Sequence, residues 1–209
     1  MTMKTITHIV VHYSATFEDQ NLTVADIDKM HKARGWKGVG YHYVIRRDGV
    51  VEKGRPDNVV GAHVGGQNSG KIGICAIGGV NRATGPNVGV DNRTQAQIKA
   101  QIALIKTLLA KYPKAKVVGH RDLAPTQCPG FDVIPWWASV MAGKPPVETY
   151  TPWTPSKVPL PPVNNGKVVH VEQDGTVKPG PSDKPPYVER NIIRILWNAF
   201  LAIIFRRGK

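Results

Sequence analysis

Along the first 143 positions the hydrophobic pattern switches between period two and the helical period, and the switches mark the elements. "ITHIVVHYSA" is β-branched and ends in a histidine and a serine, which predicts a strand over about residues 5–12. In "TVADIDKMHKARG", Thr23 stands three positions before Asp26 as a capping pair. Val24, Ile27 and Met30 recur at helical spacing, and Gly35 closes the helix. "YHYVIRRDGVVEKG" is two β-rich runs around Asp48-Gly49, the signature of a hairpin. "KIGICAIGG" is a continuous apolar run between glycines and suits a central strand buried on both faces.

A Gly/Asn-rich loop is expected over residues 78–92. Thr94 and Gln97 then open a second helix, with Ile98, Ile102, Ile105, Leu109 and Tyr112 on one face. "KVVGH" reads as a short strand ending at His120, and "FDVIPWWASVMAG" as a helix with Asp132 as N-cap, ending before Gly143. Strands and helices alternate in mixed order. The predicted fold class is therefore α/β, a single domain with a central mixed β-sheet flanked by helices.

Proline ends the pattern. Eleven of the 17 prolines fall between Pro145 and Pro186, among few apolar residues. Three parts follow: a domain over 1–143, a Pro-rich linker over 144–186, and a C-terminal amphipathic helix over 187–209. In the last part, "ERNIIRILWNAFLAIIFRRGK", Arg190, Arg194, Asn198, Ala202 and Arg206 form one narrow stripe on a helix, and apolar residues cover the rest. Ile195 to Phe205 is too short for a span, which needs about 20 residues. A Trp, flanking arginines and a wide apolar face fit a helix that contacts anionic membrane, the alternative being a helix that docks on the folded domain or on a partner.

Charge points the same way. The chain carries 28 Lys/Arg against 15 Asp/Glu, formally +13, of which +9 lies in residues 1–144. Such an excess favours polyanionic partners. No nucleic-acid-binding module is recognisable, so no specific nucleic acid is expected. Two cysteines are too few for a disulfide framework. The N-terminus has no long apolar stretch of a secretory signal, so synthesis in the cytoplasm is expected.

Cys75 suits a buried strand position, but Cys128 lies in a loop between Pro125 and Pro129, eight residues after His120. His12 and His120 both fall at predicted strand ends, where sites in α/β sheets gather. Two imidazoles and a thiolate suit zinc, with the fourth position left for water. Zinc lowers the pKa of water from about 15.7 towards 7. His12 lies 108 positions before His120, and ordinary core histidines fit that spacing equally well. Tyr41, in "GVGYHYVI", offers a phenolic donor or a half-buried strand aromatic.

Four blocks, "IVVHYSAT", "GWKGVGYHYVIRRDGVVEKGR", "VGAHVGGQNSGKIGICAIGG" and "VVGHRDLAPTQCPGFD", occur in an order that resembles the type 2 N-acetylmuramoyl-L-alanine amidases. That family includes phage lysozymes that are amidases and the animal peptidoglycan recognition proteins. The resemblance spans most of residues 6–137. It implies one zinc ion held by His12, His120 and Cys128, with Tyr41 and Thr126 as catalytic residues. Thr126 stands where phage enzymes often carry Lys, and brings a hydroxyl without a charge. His42, His63, Asn68 and Arg47 lie in matching blocks and are expected to bind substrate. The implied activity is hydrolysis of the amide between N-acetylmuramic acid and L-alanine of peptidoglycan. Some relatives bind without cutting, and those commonly lack a ligand that this chain keeps. A compact catalytic domain without a signal suggests a phage endolysin, antimicrobial and monomeric, acting on the wall after release.

Overall fold

The computed structural model describes Met3, residues 5–144, and three short strands beyond them at 163–164, 167–171 and 177–179. Contacts divide the chain into two units, Met1–Pro159 and Leu160–Lys209.

In the first unit a five-stranded sheet runs in the order β4-β3-β5-β1-β7. Its strands are β1 (His8–Tyr13), β3 (Tyr43–Ile45), β4 (Val51–Lys53), β5 (Lys71–Ala76) and β7 (Lys116–Gly119). β1, β3, β5 and β7 are parallel to their neighbours and β4 pairs antiparallel with β3, which makes the sheet mixed. The expected strand over 5–12 is β1, and it runs one residue past His12. β5 is central, and from Ile72 to Ala76 every residue is buried. The hairpin turns at Asp48-Gly49, where Gly49 takes φ +86°. A second pairing, β2 (Thr16–Phe17) with β6 (Gly79–Val80), lies partly in the segment expected to be loop.

Both capping boxes form. Thr23 caps α1 (Val24–Lys32) with Asp26, and Thr94 caps α2 (Gln95–Lys111) with Gln97. The buried face of α2 differs from the expected one: Gln97, Gln101, Ile105 and Leu108 are buried, while Ile102, Leu109 and Tyr112 pack at its margin. Gln97 sits inside with both amide atoms partnered, and Gln101 with its oxygen partnered. Gln97 Nε2 donates to the carbonyls of Ile45 and Ile77, and Gln101 Oε1 accepts from Arg93. α3 (Val133–Met141) begins after Asp132, but that side chain makes no cap hydrogen bond; it pairs with Arg121 at 3.1 Å.

The sheet has two unlike faces. Ile9, Val11, Ile45, Ile72 and Ile74 join Ile105, Leu108, Phe131 and Trp136 in the main core, beneath α2 and α3. On the other face, Val44 and Ile77 pack with Ile27 of α1, and Val10, Val64 and Val118 form a smaller cluster. Because alternate strand residues point to opposite faces, His12 shares the face of Val10.

Within the second unit, β8 (Val163–Asn164), β9 (Lys167–Val171) and β10 (Val177–Pro179) pair antiparallel in chain order. They fall inside the segment read as linker, around "VVHV", a β-branched run that the proline count overshadows. The rest of the linker and the expected helix over 187–209 lie outside the described residues. Among the described residues no helix is long and apolar enough to cross a membrane.

Candidate active site

Strand register brings the two predicted ligand histidines together. β1 and β7 pair Val10 with Val118 and Val11 with Gly119, so His12 and His120 follow at the same end of neighbouring parallel strands. Their ring centroids lie 4.6 Å apart. Cys128 arrives on the loop after β7, which Arg121 holds from within. The Arg121 guanidinium donates to the Gln127 carbonyl at 2.6 Å and to Asp132 at 3.1 Å, and its amide donates to the Cys128 carbonyl at 2.8 Å. The Sγ of Cys128 accepts from the Tyr13 amide at 3.3 Å and lies 3.7 Å from His12 Nδ1.

One ligand atom from each of His12, His120 and Cys128 lies within 4.8 Å of the others. Zinc bonds of about 2.3 Å to sulfur and 2.0–2.1 Å to nitrogen, at a tetrahedral angle, separate sulfur from nitrogen by about 3.6 Å. The 3.7 Å between Cys128 Sγ and His12 Nδ1 matches that edge. The donor set fits as well. Burial, then the His63 and His120 rings, hold His12 well below the usual histidine range, and burial brings His120 down to about 4. Both rings are thus neutral at neutral pH, the form that can ligate a metal. Burial pushes the Cys128 thiol up to about 12, against the Tyr13 amide and the Arg121 charge. A divalent cation supplies the positive charge that a buried thiolate needs.

A further layer stands behind His12. Its Nε2 is hydrogen-bonded to His63 Nδ1 at 3.0 Å. Burial above all, then the His42 ring, pulls His63 down to about 3, with the Lys71 backbone opposing. Gly61 and Gly73 make room for the His63 ring: a Cβ on either would meet its Cδ2, at 2.4 and 2.6 Å.

Tyr41 lies beside the cluster, its ring 5.3 Å from that of His12. Burial, reinforced by Cys75 and Cys128, holds its phenol well above the usual range, so it stays a proton donor. Thr126 is half-buried, and its Oγ1 accepts from the Cys128 amide at 3.3 Å. The four expected substrate contacts are placed less directly. His42 is fully buried; its Nδ1 accepts from the Gly73 amide and its Nε2 donates to the Val59 carbonyl, which leaves neither nitrogen for a ligand. His63 faces His12. Asn68 Oδ1 accepts from the amides of His63 and Val64. Arg47 Nη1 reaches the carbonyls of Ile77 and Asn92 and the Oε1 of Gln97. In this structure both ring nitrogens of His42, the Oδ1 of Asn68 and the Nη1 of Arg47 are engaged within the framework.

Sequence reasoning passed over Arg121 and the glycines at 61 and 73. "GHRD" and "GAH" mark their places, but only the fold shows that Arg121 crosses the Cys128 loop and that His63 lies over glycine backbone.

A mixed α/β sheet bearing two neutral imidazoles and a cysteine at one strand end defines a protein with a candidate metal-dependent hydrolytic centre. The family is then specific: the N-acetylmuramoyl-L-alanine amidase model matches residues 2–131, and the chain belongs to that family. It is 43% identical over 129 residues to the endolysin of Klebsiella phage KP32, covering 62% of this chain and 83% of the relative. The endolysin of Escherichia phage T7 is 44% identical over 129 residues, with the same coverage. Among solved structures, the N-acetylmuramoyl-L-alanine amidase LysC from Clostridium intestinale URNW superposes with a TM-score of 0.55 at 34% identity, over 67% of this chain and 87% of that one.

Proposed function

We propose that this chain is a zinc-dependent N-acetylmuramoyl-L-alanine amidase that cuts the bond between the lactyl group of N-acetylmuramic acid and L-alanine of the stem peptide, and acts as a phage endolysin. The observation that carries the proposal is the convergence of His12, His120 and Cys128 inside a family match covering residues 2–131. When bound there, zinc supplies Lewis-acid polarisation of a carbonyl and acidifies water at neutral pH.

The chain's own residues do the rest. Tyr41, a phenol that stays protonated at neutral pH and whose pKa is held above the usual range, donates a hydrogen bond where an amide oxygen gains negative charge. The Thr126 hydroxyl offers a second, uncharged donor from the Cys128 loop. The half-buried His120 and Tyr41 mark the side from which substrate enters, while His12 and Cys128 are closed off by protein. Arg121 keeps Cys128 at its place by bonding both ends of the loop segment.

The enzyme acts as a monomer on the cell wall after release from the cytoplasm. The basic, apolar segment over 187–209 brings it to anionic membrane. A chain ending at Gly143 keeps its activity on isolated sacculi and loses binding to anionic liposomes; equal liposome binding by both forms removes the membrane role.

Incubation with purified sacculi tests the reaction itself. The proposal requires new L-alanine amino termini on released peptides, with no new reducing sugar ends. Tight sacculus binding without released peptide would identify a recognition module instead.

A further inference from the structure

We infer that His63 is a positioning residue: its Nδ1 accepts the proton of His12 Nε2 and thereby fixes the His12 ring with Nδ1 turned to the metal. This rests on the metal-centre reading proposed above.

An imidazole has two nitrogens, and in the neutral ring one carries a proton and the other a lone pair. His12 has Nδ1 beside Cys128 Sγ at 3.7 Å and Nε2 against His63 Nδ1 at 3.0 Å. If Nδ1 is the metal ligand, the His12 proton must sit on Nε2, and His63 Nδ1 must receive it. Metal-bound histidines characteristically donate their other N–H to an acceptor that fixes ring and tautomer. Here the acceptor is a second imidazole.

The surroundings hold that acceptor in place. The His63 ring lies over Gly61 and Gly73, where any Cβ would come within 2.8 Å of it. Its backbone amide is pinned by Asn68 Oδ1 at 2.7 Å. The His42 ring meets it edge-on at 5.6 Å, and His42 is itself tied to backbone at both nitrogens. With Nδ1 turned to His12, the ring proton of neutral His63 sits on Nε2, on the buried side, where the Lys71 backbone raises the ring's pKa.

The test exploits the position of the acceptor atom. In His63→Asn the amide oxygen replaces Nδ1 in place; in His63→Gln it reaches the position of Nε2; in His63→Leu no acceptor remains. Zinc affinity is measured by chelator competition, and ligand geometry by the visible absorption of the cobalt(II)-substituted full chain. Wild type binds one metal ion. His63→Leu and His63→Gln should lose about 10- to 100-fold in zinc affinity, with an altered cobalt spectrum, the range seen for lost second-layer partners. His63→Asn should stay within about threefold of wild type, with the wild-type spectrum. Should His63→Leu fail to fold, the Asn and Gln variants alone decide. Equal affinities for Asn and Gln, or a His63→Leu variant that holds zinc as wild type does, would overturn the inference. A wild-type chain that takes up no zinc overturns the metal reading, and this inference with it.

Discussion

Replacing Arg47 separates a framework role from a substrate contact. Its Nη1 bridges the ends of β3 and β5 to the start of α2, through the carbonyls of Ile77 and Asn92 and the Gln97 side chain. Arg47→Met keeps most of the aliphatic volume and removes the guanidinium. Two acceptors keep other donors: Ile77 has Gln97 Nε2 at 2.8 Å, and Gln97 Oε1 has the Thr94 amide at 3.1 Å. The Asn92 carbonyl loses its Arg47 donor. A hydrogen bond to a charged group is worth about 1.5–3 kcal/mol, and orphaning a buried acceptor costs about 1–3 kcal/mol. Against this, the variant escapes the burial that already pulls the Arg47 pKa down. A net loss of about 2 kcal/mol is expected, or about 8 °C in Tm for a domain of this size. The assay pairs thermal unfolding with cleavage of suspended peptidoglycan. The account predicts the lower Tm, with KM near wild type at temperatures where both proteins are folded. An unchanged Tm with a KM raised tenfold or more would refute the framework role and restore Arg47 as a substrate contact.

Cys128→Ser should lose zinc and activity together, because serine does not form the anionic ligand at neutral pH, while Cys75→Ala keeps both; metal content and sacculus cleavage check this. Tyr41→Phe should lower kcat by roughly 10- to 1000-fold with zinc content and sacculus binding preserved, and unchanged turnover would reduce Tyr41 to packing. Asp57 provides a test of pH dependence away from the site. Burial raises its pKa, but hydrogen bonds from Lys53, Lys111 and Tyr43 outweigh that and hold the carboxyl far below its usual range. A depressed folded-state pKa gives stability that is present above the unfolded value of about 3.9 and lost as pH falls through the folded one. Asp57→Asn should therefore unfold at lower temperature than wild type at pH 7, with a gap that narrows towards pH 2; a constant gap refutes the ion-pair origin.

Local signals in this sequence were readable where the chemistry is local. Thr23 with Asp26 and Thr94 with Gln97 form the capping boxes that their spacing predicts, and Asp48-Gly49 turns the hairpin. The candidate metal cluster was legible in the family blocks, yet only strand register explains why residues so far apart in sequence meet: His12 and His120 directly follow the last β1–β7 pair, Val11 with Gly119. Polar burial was the blind spot. Gln97 and Gln101 look like solvent positions on a helix, but partners contributed from β3, β5 and Arg93 make burial affordable, and no periodicity encodes a distant carbonyl. The same limit applies to His42, Asn68 and Arg47. Their residue types suggest ligand contacts, whereas the fold supplies backbone partners for them.

X-ray absorption at the zinc edge, on the purified full chain, tests the central claim most directly. The account predicts one zinc per chain with one sulfur neighbour at about 2.3 Å and two imidazole nitrogens at about 2.0–2.1 Å, the sulfur vanishing in Cys128→Ser. A zinc-free active enzyme, or a zinc shell containing no sulfur, would contradict it.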